Sequence, residues 1–410
     1  VKAKPVGPIP EGFKAQGGEL FVGGQTASDL VASAGSTPLF VYSRELISAR
    51  VRKLRDALPA RIGINYAIKA NPFEPVLKHM APLVDGFDIA SSGELQLAQN
   101  AGVDPARISF AGPGKRGEEL EAAISAGVTL NCESSGEGER AIAIGQRLGV
   151  CPRIAIRVNP DFELKGSGMK MGGGAKPFGV DAEKVPDLAK YLINEGAEWR
   201  GLHIFTGSQA LNADAIIEAQ SNVLKLADEL ARLIGEPLPK LNMGGGFGIP
   251  YFPGDEPLEL DAVGCALHAN VADLPESLQD AELCLELGRY LIGEAGVYLC
   301  RVVDRKDSHG VTYLVTDGGL HHQLAASGNF GTVVRRNYPV AIASRFDAEP
   351  SEVVNVVGCL CTPLDRLADL AHLPRAEVGD LVAVFCAGAY GATASPSAFL
   401  GHGSAREILV

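Results

Sequence analysis

Eight short β-rich runs, each followed by a helical stretch or a crossover, fill residues 37 to 290 and limit the chain to a few architectures. The runs are Gly63 to Ala70, Gly86 to Ser91, Arg107 to Pro113, Thr129 to Ser134, Arg153 to Pro160, Gly201 to Ser208, Leu241 to Gly248 and Glu282 to Arg289. Between them apolar residues recur at spacings of three and four, as from Ala213 to Leu233. Helix-start pairs recur too, such as Ser92 with Glu94 and Ser135 with Glu137. Eight parallel-type strands with intervening helices predict a (β/α)8 barrel, an α/β fold. An open doubly wound sheet usually has fewer strands and a glycine-rich first turn, which this chain lacks.

Beyond residue 290 the rhythm changes. Val297 to Asp304, Thr312 to Asp317, Glu352 to Cys359 and Leu381 to Ala387 read as strands joined by turns, so residues 291–410 are expected to form a β-domain. Residues 1–36 also look β-like, with Glu19 to Val22 as a strand, and are expected to pack with that domain. A chain of 410 residues suits a large domain and a smaller one.

A net charge of −12 argues against nucleic-acid binding, because nothing would neutralise a run of phosphates. No apolar stretch approaches the roughly 20 residues that span a bilayer, and no signal-peptide pattern stands at the start. The eight cysteines lie scattered, mostly in apolar runs such as Leu283-Cys284-Leu285. That pattern describes buried free thiols in a reducing compartment, so a cytoplasmic protein is expected, with Cys132 and Cys151 as core thiols. No metal site is expected. Cys359-Leu360-Cys361 has the wrong spacing for zinc, and His321 and His322, read as strand neighbours, would point to opposite faces.

The first run reads Gly63-Ile64-Asn65-Tyr66-Ala67-Ile68-Lys69-Ala70-Asn71-Pro72, a buried strand that delivers a lysine at its end. An ammonium there is disfavoured unless it is paired, neutralised or covalently used, which makes Lys69 a candidate imine former. Taken alone, a lysine that ends a strand and reaches water explains it as well. The C-terminal strand ends of a barrel point into the site, and they carry Lys69, Asp88, Asn159, Phe205, Ser208, Gly244-Gly245-Gly246, Glu286 and Arg289. A glycine-rich loop can present backbone N–H groups to a phosphate, and Arg289 can add charge-assisted bonds, although a tight turn also explains three glycines. Lysine, phosphate loop, carboxylate and arginine together describe a pyridoxal 5'-phosphate site.

The segments Tyr66-Ala67-Ile68-Lys69-Ala70-Asn71, Phe87-Asp88-Ile89-Ala90-Ser91, Gly207-Ser208-Gln209, Gly244-Gly245-Gly246-Phe247-Gly248, Glu286-Leu287-Gly288-Arg289, Cys361-Thr362-Pro363-Leu364-Asp365 and Gly388-Ala389-Tyr390-Gly391 span nearly the whole chain. In this order they resemble the alanine-racemase-fold (fold type III) pyridoxal-phosphate decarboxylases, the group of diaminopimelate, ornithine and arginine decarboxylases. The resemblance implies that Lys69 binds the cofactor and that Glu286 keeps its pyridine nitrogen protonated. Ser208, Gly244, Gly245, Gly246, Arg289 and Tyr390 would hold the phosphate. Asp88 would tune the charge of Lys69. Cys361 would protonate the α-carbon after CO2 leaves, and Cys361 and Asp365 would reach a neighbour's site in a head-to-tail homodimer with composite active sites.

Three departures bear on the substrate. Phe205 stands where many relatives have the histidine that stacks on the cofactor; His203, two residues earlier, is expected to be buried and structural. Thr362 stands where diaminopimelate decarboxylases carry a glutamate for the distal amino group. The stretch from His321 to Phe330 lacks the arginine that binds the distal carboxylate. A buried charge without its partner is strongly disfavoured, so diaminopimelate is the less favoured substrate, with Thr362 and Asp365 left as substrate-binding candidates.

The loop from Lys165 to Gly179 is lengthened by glycines and reads either as a specificity element or as a solvated surface loop. The pattern, including Cys-Thr-Pro-Leu-Asp, resembles the exosortase-associated and butirosin-type subgroup, which acts on glutamyl groups held by an acyl carrier protein. A tethered γ-acyl substrate has no free distal charge. The rivals are a racemase on the same scaffold, disfavoured because such racemases place an arginine where Glu286 stands, and a non-catalytic binding protein, disfavoured because Lys69, Glu286 and Cys361 are all present.

Overall fold

Strands buried on both faces account for the near-continuous apolar runs of the first two-thirds of the chain. A computed structural model describes residues 2–328 and 335–410. In it eight parallel strands pair in sequence: Ile62–Ala67, Gly86–Ile89, Ile108–Phe110, Thr129–Cys132, Arg153–Asn159, Glu198–Ile204, Lys240–Gly245 and Glu282–Leu287. The last strand pairs with the first, so the barrel closes. Tyr66, Phe87, Phe110 and Leu285 are fully buried along these strands. Each such side chain contributes about 1.5–3 kcal/mol relative to exposure.

Helices follow the strands, and their starts carry the expected caps one residue earlier than the sequence places them. Ser91 Oγ accepts from Glu94 N and Ser134 Oγ from Glu137 N, both at 3.1 Å. Three-residue spacing is what lets a hydroxyl reach the third helical N–H. The helix read from Ala213 runs Ala213–Ile234, capped by Asn212.

The chain divides into two compact units. Val51–Gly248 and Pro257–Gly288 form the barrel; Val1–Arg50, Ile249–Glu256 and Arg289–Val410 form the β-rich unit. The sequence places its boundary after residue 36. The difference arises at Leu39–Tyr42, which pairs with the long strand Gly296–Ser308 instead of joining the barrel. That strand also pairs with Val311–Thr316 and Leu381–Val384. Among the described residues of 291–410, three strands escape the sequence reading: Val340–Ile342, Arg366–Leu373 and Arg406–Leu409. The core of this unit gathers Leu20, Leu30, Leu39, Val41, Leu299 and Phe385, so the N-terminal strand Glu19–Val22 is part of it. Among the described residues no helix is long and apolar enough to cross a membrane.

Candidate active site

The first barrel strand ends at Ala67, and Lys69 lies on the 3-10 turn Ile68–Ala70 that follows. Tyr66 Oη donates to Asn71 O at 2.9 Å, and Asn71 Oδ1 accepts from Phe73 N at 3.0 Å, which fixes that turn before the helix Glu74–Met80. Lys69 Nζ lies 3.7 Å from Glu286 Oε1 and 5.5 Å from the centre of the Phe205 ring. Glu286 is buried at the end of the eighth strand, and its other oxygen, Oε2, is 3.0 Å from His203 Nε2. Contact with this ring is the largest influence lowering the Glu286 carboxyl.

Burial pushes the Glu286 carboxyl up, but His203, Lys69 and Arg157 outweigh it and hold the group below the usual carboxylate range. Asp88, at the end of the second strand, behaves oppositely. Burial first, and the charge of Glu286 second, raise it well above that range. Its Oδ1 accepts from Ser109 Oγ. The pair therefore holds its proton on Asp88 and its negative charge on Glu286. Asp88 lines the same cavity as Lys69; the charged groups that act on it are Glu286 and Lys240, and the carboxylate paired with Lys69 is Glu286.

Lys69, Asp88 and Glu286 share a cavity of ≈ 320 Å³ with Lys115, Arg157 and Phe178. Its cations are paired. Arg157 Nη1 donates to Glu133 Oε1 at 2.9 Å, and Lys115 Nζ donates to Glu137 Oε1 at 2.7 Å and to the carbonyls of Gly112 and Asn131. The sequence reading missed these four residues; the signal was a Glu directly after the apolar fourth strand. The glycine-lengthened loop is not merely solvated surface. Met169–Lys170 pairs with Gly207–Ser208, Gly179 N donates to Glu133 Oε2 at 3.0 Å, and Met171 and Phe178 line the cavity. The Phe178 ring centre is 5.1 Å from the Arg157 guanidinium. Lys165 does reach solvent, paired with Glu218 at 2.7 Å.

The residues expected at the phosphate fall in both units. In the barrel, Gly246 has φ 84°, and a Cβ there would press on Gly207 O, while Ser208 is half-buried beside it in sequence. In the β-rich unit, Arg289 Nη1 donates to Tyr251 Oη at 2.6 Å and its guanidinium lies 4.6 Å from the Tyr390 ring centre.

Cys361 is exposed on the β-rich unit. Thr362 closes a turn: its O accepts from Asp365 N at 3.2 Å and its Oγ1 from Leu364 N at 3.4 Å. Asp365 departs from the expected substrate contact. It is buried, with Oδ1 accepting from Leu320 N at 2.7 Å and Oδ2 from Leu360 N at 2.8 Å. Its oxygens tie two loop segments together.

His321 and His322 lie on a turn, not a strand, and their ring centres are 3.8 Å apart, so they do not face opposite ways. Asn329 and Phe330 of the same stretch lie outside the described residues. All eight cysteines are free, but Cys151 is exposed instead of buried in the core. Cys132 is buried, and burial pushes its thiol up to about 12.

The donor set fits pyridoxal 5'-phosphate: one cavity offers the primary amine of Lys69 and the buried carboxylate of Glu286, and the Phe205 ring lies 5.5 Å from that amine. Comparison with known proteins agrees. Residues 44–293 match the family model of the pyridoxal-dependent decarboxylase, pyridoxal binding domain. The chain is 36% identical to the L-glutamyl-[BtrI acyl-carrier protein] decarboxylase of Niallia circulans, covering 91% of this chain and 88% of that protein. It is 33% identical to the diaminopimelate decarboxylase of Archaeoglobus fulgidus, covering 97% and 93%. Among solved structures, the diaminopimelate decarboxylase of M. jannaschii with L-lysine superposes with a TM-score of 0.86 at 26% identity, covering 98% and 93%. The Helicobacter pylori enzyme with L-lysine gives 0.82 at 28%, covering 93% and 94%. The chain belongs to the fold type III pyridoxal-phosphate-dependent decarboxylases and is an amino-acid carboxy-lyase of that family.

Proposed function

We propose that this enzyme removes the α-carboxylate from a glutamyl group carried on an acyl carrier protein. The observation that carries the reaction class is the array Lys69 Nζ, Glu286 and His203, with 3.7 Å and 3.0 Å at the two oxygens of one buried carboxylate. When bound, pyridoxal phosphate supplies the electron sink for the pair left behind as CO2 departs.

Lys69 anchors the cofactor through its amine. Glu286, kept ionised by His203 and Lys69, holds a proton at the ring nitrogen, while Asp88 stays neutral and adds no second charge beneath it. Phe205 would offer the cofactor an aromatic face but no titrating group. In the barrel, Ser208, Gly244, Gly245 and Gly246 would bind the phosphate; in the β-rich unit, Arg289 and Tyr390 are the candidates that the resemblance names for it. Cys361 hands a proton to the α-carbon. Its exposure, and that of Leu364 at 54%, supports a homodimer in which this segment serves the partner's site. Eight free thiols support a reducing, cytoplasmic setting.

Two features support a tethered substrate. Thr362 and the arginine-free stretch from His321 to Phe330 offer no partner for a charged distal end, and the 36% identity to the glutamyl-carrier decarboxylase extends over 91% of the chain. The test is CO2 release from glutamyl-loaded carrier protein beside a panel of free L- and D-amino acids, with mass detection of the amine. Release from the carrier alone supports the reading. Efficient turnover of free diaminopimelate overturns the substrate, and racemisation without CO2 overturns the reaction. No CO2 and no visible cofactor band would leave a binding protein.

A further inference from the structure

We propose that His321, Cys359 and His402 form a binding site in the β-rich unit for a zinc-class divalent cation. Their ligand atoms all lie within 4.8 Å of one another, and Cys359 Sγ is 3.9 Å from His402 Nδ1. A tetrahedral ion with metal–nitrogen bonds of about 2.0 Å and metal–sulfur bonds of about 2.3 Å sets such atoms about 3.3–3.8 Å apart. Small side-chain rotations of the half-buried Cys359 and the exposed His402 would bring the three atoms to that spacing.

The second observation is His321 itself. It is fully buried, yet neither ring nitrogen has a hydrogen-bond partner among the described residues. A buried, unpaired polar group destabilises a fold by about 1–3 kcal/mol, and a metal bond removes that penalty. Its neighbour His322 shows the contrast: Nδ1 lies 3.0 Å from Tyr298 Oη and Nε2 lies 2.9 Å from Gly403 O, so that ring is committed elsewhere. Two imidazoles and one thiolate are borderline-soft donors, which select zinc or cobalt over magnesium or calcium. Binding converts the Cys359 thiol to a metal-bound thiolate and releases one proton to solvent.

The surroundings are built to hold the three donors. Asp365 accepts from the amides of Leu320 and Leu360, the residues before His321 and after Cys359. A side chain on Gly319 or Gly358 would collide with that carboxylate, which explains glycine at both. The ion would cross-link the turn at His321, the segment of Cys359, two residues before Cys361, and the segment of His402 before the final strand Arg406–Leu409. The fourth position stays open to water.

The test uses the purified holoenzyme, dialysed against a chelator and then titrated with Zn2+ or Co2+ alone. We expect about one ion per chain, a thiolate-to-cobalt charge-transfer band, and a higher melting temperature with Zn2+. Cys359→Ser should abolish the band. Cys359→Ser and the exposed His402→Ala should each weaken binding at least about tenfold, the scale on which metal sites lose affinity when their ligand shell is disturbed. Cys151→Ser, at an exposed cysteine outside the cluster, should bind as the parent does. Failure to retain Zn2+ or Co2+, or unchanged binding in both Cys359→Ser and His402→Ala, overturns the site.

Discussion

His203 Nε2 stands 3.0 Å from Glu286 Oε2, with both groups buried. The ring is thus the nearest counter-group on one oxygen, as Lys69 is on the other. His203 and Lys69 together overcome the burial that would otherwise protonate Glu286. In His203→Ala one of them is lost and the Glu286 pKa rises. The acid limb of kcat/KM against pH should move to higher pH, and kcat should fall by on the order of tenfold or more. His203→Gln, which can still donate, should recover part of both. A kcat loss with an unmoved acid limb would make His203 a packing residue only.

Phe178 tests the loop. Its ring forms a cavity wall and packs over Arg157 at 5.1 Å. Cation–π contacts contribute about 0.5–2 kcal/mol, so Phe178→Ala should raise KM several-fold, up to about 30-fold, with kcat little changed. Steady-state kinetics on the preferred substrate separates the two parameters. A fall in kcat at constant KM would place the residue in the chemistry instead.

The barrel was readable because its signals are local. Each strand is a short apolar run and each helix carries its own cap, as at Ser91 and Ser134. Lys69 and Glu286 were readable because they end such runs. What stayed hidden depends on which distant segments meet. The pairs Arg157 with Glu133 and Lys115 with Glu137 exist only once neighbouring strand ends stand side by side. Leu39–Tyr42 gave no sign that its partner lies some 250 residues onward at Gly296–Ser308. Arg366–Leu373 was missed because Arg366, Asp369 and His372 interrupt its apolar alternation. His321 and Cys359 come together through two loops tied by Asp365, and His402 joins them from a third segment.

Asp365 separates positioning from substrate contact. Both carboxylate oxygens hold backbone amides, and each buried donor left unpaired is worth about 1–3 kcal/mol. Asp365→Ala should lower the melting temperature by several degrees. It should also speed hydrogen exchange at Leu320 and Leu360. Asp365→Asn, which keeps one acceptor, should lose less. Unchanged melting and exchange with a raised KM would return Asp365 to the substrate.

Asp88 gives a pH signature of the opposite sign to an ordinary surface carboxylate. Its folded pKa is raised, chiefly by burial and then by Glu286, so the folded chain keeps a proton that the unfolded chain releases near 3.9. Its stabilising contribution is complete below that pH and is lost as pH climbs from there toward the raised folded value. Asp88→Asn is neutral in both states and removes this dependence. At pH 4 and below, the variant and the parent should melt together. At pH 8 the variant should be the more stable, by about 1.4 kcal/mol for each unit by which the pKa is raised, a gain of at least about 2 °C. Melting curves across that range decide it: a gap that is equally wide at both ends would mean that Asp88 carries no extra proton in the folded protein.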